Sequence, residues 1–180
     1  MKPQKTKRFH WLAERINKAK YSTGAEVGCA TGNTTVHIFT NCPSLRSLYV
    51  ADNWSPMPNW KERNLPSGIS HKRIFKDRIT PFANNITILE GLSWEMAKNV
   101  PDNSLDFVFI DACHEYECVY QDILAWAPKL KAGGLLCGHD INIPGVLQAV
   151  EELIEGWLNT NTDNVWYCRK EALKSKIQGV

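Results

Sequence analysis

The chain has 180 residues, of which 43% are hydrophobic and 22% charged, and its formal net charge is +2. This length and composition fit one globular domain with a substantial apolar core, and they exclude a disordered or fibrous protein. No apolar run approaches the roughly 18–20 residues that a membrane span requires. The near-neutral charge gives no argument for a polyanionic partner, and the polar start from Met1 to Arg8 predicts a cytoplasmic protein.

Residues 1–20 are predicted to form an amphipathic opening helix. Phe9, Trp11, Leu12 and Ile16 recur at three- and four-residue spacing, which is typical of a helix with one buried face. The same stretch holds seven Lys and Arg residues against a single acid. A solvated basic helix face is the ordinary interpretation of that charge, and a nucleic-acid or anionic-surface footprint is the alternative.

Beyond this helix, short β-rich runs alternate with helical stretches. The predicted strands are 25–28, 47–52, 85–90, 105–111, 135–138 and 164–169, and the predicted helices are 34–40, 70–82, 93–99, 115–127 and 144–158. Alternation of this kind predicts an α/β fold, in which helices cover both faces of a doubly wound, mostly parallel sheet of six or seven strands. We expect a single domain over residues 1–180, in which the Pro- and Trp-containing segment 53–83 forms a lid or substrate segment.

Acidic residues end most of the predicted strands. In doubly wound sheets, ligands bind beyond the carboxyl ends of the strands, near the point where the strand order reverses. These strand ends present acids, which suits a cation or ribose hydroxyls better than phosphates. These ends are Glu26 with Gly28, Asp52, Glu90 with Gly91, Asp111, and His139 with Asp140.

The first strand leads into the pattern E-x-G-x-x-x-G, from Glu26 to Gly32. Its glycines allow the backbone to approach a ligand closely, and Asp52 follows at a distance suited to ribose hydroxyls. Together with Gly91, these features resemble a class I S-adenosylmethionine-dependent methyltransferase over most of residues 24–170. The resemblance implies a Rossmann-like fold and S-adenosylmethionine as cofactor. It also implies a cofactor site made of Glu26, Gly28, Thr31, Gly32, Asp52, Asn53, Trp54, Gly91, Leu92, Ser93 and Asp111.

The segment F-I-D-A-C-H-E-Y, over residues 109–116, and the later G-H-D, over residues 138–140, are more specific. With the Gly-Gly pair at 133–134, they resemble small-molecule O-methyltransferases typified by the macrolide-sugar enzymes. This resemblance implies that His114 is the general base and that Asp111 and Asp140 are metal ligands. The resemblance implies a site for Mg²⁺ or another divalent metal. This chain has His139 where metal-dependent members often have another acid. Because Mg²⁺ prefers oxygen ligands, the identity of the metal stays open.

These residue types suit methyl transfer from a sulfonium, which is an in-line displacement that requires an aligned, deprotonated nucleophile. We therefore predict O-methylation of a small hydroxylated acceptor. His114 and Asp140 also have structural interpretations, as a helix cap and a turn residue. Two other functions stay open: an RNA-directed methyltransferase, favoured if the opening helix and the basic 72–78 stretch share one face, and a non-catalytic cofactor-binding module.

The C-terminal region departs from the family pattern, in which a pair of strands completes a seven-stranded sheet. Only six residues separate Leu158 from Val165, which are too few for a further strand and its turn. We therefore expect one strand to be missing and an edge to be exposed. Because exposed edges are commonly covered by a partner chain, a homodimer is predicted.

Overall fold

A sheet of seven strands organises the chain, of which the computed structural model describes residues 7–55 and 70–174. The strand order is β3-β2-β1-β4-β5-β7-β6. Strands β1 to β5 pair in parallel, and β7 runs antiparallel between β5 and β6. The predicted mostly parallel α/β fold is thereby confirmed. The strands are β1 Thr23–Val27, β2 Ser47–Asp52, β3 Ile86–Glu90, β4 Leu105–Ile110, β5 Leu130–Gly138, β6 Leu158–Asn159 and β7 Trp166–Arg169.

Six α-helices connect these strands within the described residues. They are α1 Arg8–Ala19, α2 Asn33–Asn41, α3 His71–Ile79, α4 Ser93–Met96, α5 Tyr116–Trp126 and α6 Pro144–Leu153. Proline is the first residue of α6, where its missing N–H costs no hydrogen bond. None of the described helices is long and apolar enough to cross a bilayer.

Two apolar cores flank the sheet, as β4 illustrates. Phe107 and Phe109 of β4 are fully buried on the side of α1, α2 and α3. Val108 and Ile110 alternate with them and are buried on the side of α4, α5 and α6. Because both faces of a strand in this position are covered, its sequence is a continuous apolar run. The run therefore predicted correctly that residues 105–110 form a buried strand.

The Gly133–Gly134 pair lies inside β5, whereas the sequence predicted a turn before a strand that began at residue 135. Leu105 of β4 pairs with Leu130 of β5, but Phe107 pairs with Leu135, so the pairing register shifts between them. Gly133 adopts φ +71°, a conformation that glycine accommodates without strain. The strand therefore starts at Leu130 and contains an irregularity where a separate turn was expected.

The predicted loss of a C-terminal strand is wrong. Helix α6 ends at Leu153, five residues before the predicted end, and so leaves enough chain for a connection and a short strand. That strand, β6, has only two residues and pairs with β7 across a tight turn. Asn161, Asp163 and Asn164 in this turn adopt positive φ, which shortens the connection below the length that we expected to be necessary.

The predicted lid lies only partly within the described residues. Residues 56–69, with four of its prolines and glycines, are outside them. The later part of the segment forms α3, whose N-terminus is capped by the Ser70 hydroxyl accepting from the Arg73 amide. Helices α1 and α3 pack against the same face of the sheet.

Candidate active site

The first glycine turn is held against the ends of two neighbouring strands. The amide of Gly28 donates to the Ala51 carbonyl at 2.8 Å, and the amide of Asp111 donates to the Val27 carbonyl at 2.7 Å. Gly28 adopts φ +86°, and a Cβ at this position would lie 2.3 Å from the carbonyl oxygen of Asp111. The position therefore requires glycine both for its conformation and for the close backbone approach.

Gly28→Ala is expected to lower the free energy of unfolding by about 2–5 kcal/mol, because left-handed strain adds to a clash with rigid backbone. Gly156→Ala is the matched control. Gly156 has φ +65° with no atom close to its would-be Cβ, so only the conformational cost of about 1–2 kcal/mol is expected. Urea unfolding of the three proteins measures both effects. Equal losses in the two variants would contradict the close approach.

Asp52 holds the same turn from the end of β2. Its Oδ2 accepts from the amides of Cys29 at 3.0 Å and Ala30 at 2.8 Å, and its Oδ1 accepts from the amide of Trp54 at 2.7 Å. Three of the roughly four acceptor positions of this carboxylate are therefore used by backbone. The sequence predicted a ligand contact for Asp52 and gave no sign of this structural role.

Trp54 and Thr31 fix the outer side of the turn. The Trp54 indole donates to the Ala30 carbonyl at 2.8 Å, and its ring lies 5.4 Å from that of Phe75 in α3. Arg78 of α3 donates to both the carbonyl and the hydroxyl oxygen of Thr31. Helix α3 thus supports the turn directly. Of the other predicted cofactor residues nearby, Asn53 is exposed, and Gly32 opens α2 at φ +81°.

Glu26 lies beneath the turn and is only 2% exposed. Its carboxyl oxygen Oε2 accepts a hydrogen bond from the Thr35 hydroxyl in α2. Burial raises the pKa of Glu26 to about 8, so this acid retains its proton at neutral pH. A buried, protonated acid ionises more readily when a cationic group comes close to it.

The turn after β3 brings Gly91, Leu92 and Ser93 to the same edge of the sheet. The Leu92 side chain is exposed, whereas the Ser93 hydroxyl points inward and donates to Asp122 of α5. Asp122 is fully buried, and burial raises its pKa to about 7. Ser93 therefore anchors this turn to α5, a partner that the sequence did not reveal.

A cluster of two acids and two histidines stands at the ends of β4 and β5. His139 Nδ1 lies 3.0 Å from Asp140 Oδ2 and 3.4 Å from Asp111 Oδ1. His114 Nε2 lies 3.0 Å from the same oxygen of Asp140. The structure thus brings together the four residues that the sequence singled out for metal binding and base catalysis.

Two further charged residues adjoin this cluster, and the sequence gave no signal for either. Arg8, the first residue of α1, lies with its Nε 2.7 Å from Asp111 Oδ2. Asp163 lies with its Oδ2 3.7 Å from His139 Nε2 and accepts from the Arg8 amide at 3.0 Å. Arg8 and Asp163 are 155 positions apart, so only the folded chain shows their proximity.

The close charges shift the pKa values of His114, His139 and Asp140. The contact with Asp140 raises the pKa of His114. Burial alone would lower the pKa of His139, but its contacts with Asp111 and Asp140 raise it to about 9. Burial would raise the pKa of Asp140, but the two histidines hold it well below its usual range. Strongly perturbed groups in contact with each other are typical of functional sites.

The donor set also fits a divalent metal. Asp111, His139 and Asp140 each offer one ligand atom, and these atoms lie within 4.8 Å of one another. Both ring nitrogens of His139 are buried, and neither makes a hydrogen bond within the described part of the chain. Buried nitrogens of this kind are rare in proteins unless a partner completes them.

Comparison with known protein families identifies the family to which the chain belongs. Residues 25–141, more than half of the chain, match the family described as a methyltransferase domain. The chain belongs to this family. It is therefore an S-adenosylmethionine-dependent methyltransferase, as the strand-end acids and the glycine turn predicted. No curated protein sequence is significantly similar to this methyltransferase.

Solved methyltransferase structures share its fold at low sequence identity. The O-methyltransferase NovP is 16% identical, with a TM-score of 0.62 over 89% of this chain and 77% of NovP. The SAH-bound methyltransferase PaMTH1 of Podospora anserina is 12% identical, with a TM-score of 0.64 over 89% and 76%. Cofactor-bound Rv0187 from MTB is 11% identical, with a TM-score of 0.66 over 89% and 78%. At these identities, the likeness concerns the fold.

Proposed function

We propose that this methyltransferase transfers the methyl group of S-adenosylmethionine to a hydroxyl oxygen of a small acceptor, with His114 as general base. The observation that carries the proposal is the position of His114. Its Nε2 lies 3.0 Å from Asp140 Oδ2, at the sheet edge where the glycine turn also ends. An imidazole oriented by a carboxylate is a recurrent arrangement for proton abstraction near neutral pH.

The two histidines of the cluster differ in exposure, which supports different roles. The side chain of His114 is 32% exposed, so an acceptor can reach it. The side chain of His139 is 11% exposed and is enclosed by carboxylates. This difference supports the separate roles that the resemblance implies for the two residues. We assign proton abstraction to His114 and ligand binding to His139 on this ground.

The proposed reaction uses two side chains of the protein, His114 and Asp140. Asp140 favours the His114 tautomer that carries its proton on Nε2, which leaves Nδ1 to accept the hydroxyl proton of the acceptor. The acceptor oxygen then forms its bond to the methyl carbon as the carbon–sulfur bond breaks, and the electron pair of that bond stays on sulfur. The products are the methyl ether, S-adenosylhomocysteine and a protonated His114.

The predicted cofactor residues support binding of the donor at the glycine turn. We assign Asp52 to the ribose hydroxyls, the 91–93 turn to the adenine, and Glu26 to the cationic amino-acid end. Asp111, His139 and Asp140 are the residues that would hold a divalent metal, whose chemistry there is to acidify and orient the acceptor hydroxyl.

Calorimetric titration with S-adenosylhomocysteine tests the donor site. We expect Asp52→Ala to weaken binding at least about tenfold, because hydrogen bonds to a charged group contribute about 1.5–3 kcal/mol each. Asp77→Ala is the control, since Asp77 is an exposed acid of α3 that pairs with Arg73. Absence of binding to the unmodified protein would contradict the proposed donor site.

The acceptor class is tested by following S-adenosylhomocysteine formation with panels of sugars, phenols and amines. Turnover confined to hydroxylated compounds is the expected outcome. Turnover with amines alone would contradict oxygen as the nucleophile. Donor binding without turnover on any panel would favour the non-catalytic module.

An RNA acceptor is less well supported. Helices α1 and α3 do share one face of the sheet, as that interpretation requires. However, several of their basic side chains are already engaged by protein groups, which lowers their value for phosphate binding. These are Arg8, Lys72, Arg73 and Arg78.

A further inference from the structure

We propose that the cluster at the ends of β4 and β5 selects a first-row transition-metal ion over Mg²⁺, and that Asp163 and Arg8 orient two of its ligands. This inference rests on the metal-binding part of the proposed function and specifies which ion the site takes. It also gives roles to two residues that no sequence pattern indicated.

The chemistry of the donors favours such an ion. Mg²⁺ prefers an all-oxygen shell, whereas imidazole nitrogen suits Zn²⁺, Fe²⁺, Co²⁺ and Ni²⁺. Here the Nδ1 atom of His139 lies between the carboxylates of Asp111 and Asp140. A second imidazole, that of His114, adjoins the same Asp140 oxygen. Nitrogen is therefore at the centre of the donor set.

The spacing of the donors is also suitable. Bonds of roughly 2.0–2.2 Å from zinc to nitrogen and oxygen place neighbouring ligand atoms roughly 3–3.5 Å apart. The Nδ1 atom of His139 lies 3.0 Å from Asp140 Oδ2 and 3.4 Å from Asp111 Oδ1. Each carboxylate is therefore spaced from Nδ1 as two ligands of one small ion would be.

Asp163 approaches the opposite side of the His139 ring. Its Oδ2 lies 3.7 Å from Nε2, which is an ion-pair distance and too long for a hydrogen bond. Metal-binding histidines usually donate their other ring N–H to a carboxylate, which fixes the tautomer and the ring orientation. Asp163 is in the position for that partner.

The two carboxylate oxygens of Asp111 have different partners, Arg8 and His139. The Nε atom of Arg8 contacts Oδ2 at 2.7 Å, whereas Oδ1 faces His139. The guanidinium thus holds the Asp111 carboxylate from behind while one oxygen stays directed into the cluster. The Arg8 amide also holds Asp163 at 3.0 Å. Arg8 and Asp163 are therefore positioning residues for Asp111 and His139, respectively.

The test uses the full-length, chelator-treated protein without an affinity tag, titrated with Co²⁺ and with Mg²⁺ by calorimetry. Visible absorption of Co²⁺ gives a second readout of its ligands. We expect Co²⁺ to bind at least about 100-fold more tightly than Mg²⁺, because nitrogen ligands favour it. His139→Ala should abolish this preference, and Asp163→Asn should weaken Co²⁺ binding by about 10–100-fold.

His37→Ala is the matched control, because His37 and His10 form a separate histidine pair with ring centroids 4.8 Å apart on α2 and α1. Its Co²⁺ affinity should equal that of the unmodified protein. His139→Asp restores an oxygen ligand and should shift the preference toward Mg²⁺, which distinguishes ligand chemistry from a folding defect.

Equal affinity for Mg²⁺ and Co²⁺ would overturn the inference, as would Co²⁺ binding that survives His139→Ala and disappears in His37→Ala. Absence of metal binding would overturn it as well. A parallel titration with S-adenosylhomocysteine separates the two proposals. Intact donor binding in any of these cases would leave methyl transfer standing, whereas lost donor binding would contradict the proposed function itself.

Discussion

His114→Ala is expected to lower kcat by about 10²–10⁴-fold, because a positioned general base contributes that much to proton transfer. The affinity for S-adenosylhomocysteine should be unchanged, since His114 has no role in holding the glycine turn. Steady-state kinetics with the acceptor found in the panel assay, together with calorimetry, measures both quantities. An effect on kcat without one on donor binding is the result that distinguishes a base from a structural residue.

Two variants complete this experiment. His37→Ala removes a partly buried histidine of α2 that no step uses, and it should turn over like the unmodified protein. His114→Asn keeps a polar side chain of similar reach but offers no basic nitrogen, so its kcat should fall as far as that of the alanine variant. Full activity of His114→Ala would contradict its role as base.

Glu26→Gln is expected to change how stability depends on pH. The pKa of Glu26 is about 8 in the folded protein against 4.5 as its ordinary value, because burial disfavours the charged form. Between these values the unfolded chain has lost the proton that the folded chain keeps. The free energy of unfolding therefore falls as pH rises, by about 1.4 kcal/mol per pH unit for this one group.

Glutamine cannot ionise, so the Glu26→Gln variant should not show this pH-dependent contribution to the free energy of unfolding. Relative to the unmodified protein, Glu26→Gln should gain roughly 3–4 kcal/mol of stability between pH 5 and pH 8. Urea unfolding at several pH values measures the difference, and Glu95→Gln on the exposed side of α4 controls for the change in net charge. Parallel pH profiles for Glu26→Gln and the unmodified protein would show that Glu26 ionises in the folded state as it does in the unfolded chain.

The sequence predicted the central strands well because their signals are local. The run from Phe107 to Ile110 is apolar on both faces, and its burial on both sides of the sheet follows directly. The acids at the strand ends were likewise predictable, since parallel strands bring their carboxyl ends to one edge. Asp52, Asp111 and Asp140 are all predicted by their position at strand ends.

The missed features depend on contacts between distant parts of the chain. Asp106 is an example: its Oδ2 accepts from the amides of Ser22 and Thr23, more than eighty positions earlier. No periodicity or motif marks such a partner. The same holds for Asp122 beneath Ser93. The strand β6 was missed for a different reason, since two residues are too short for any strand pattern.

The contact between Arg8 and Asp163 affects local unfolding of the protein. It fastens the first turn of α1 to the connection between β6 and β7, beside Asp111 and His139. Local opening of either element would release Asp111 or His139 from its support, and a ligand that binds only the closed arrangement would resist that opening. Ligand occupancy and the cohesion of these two elements are thus linked through one pair of residues.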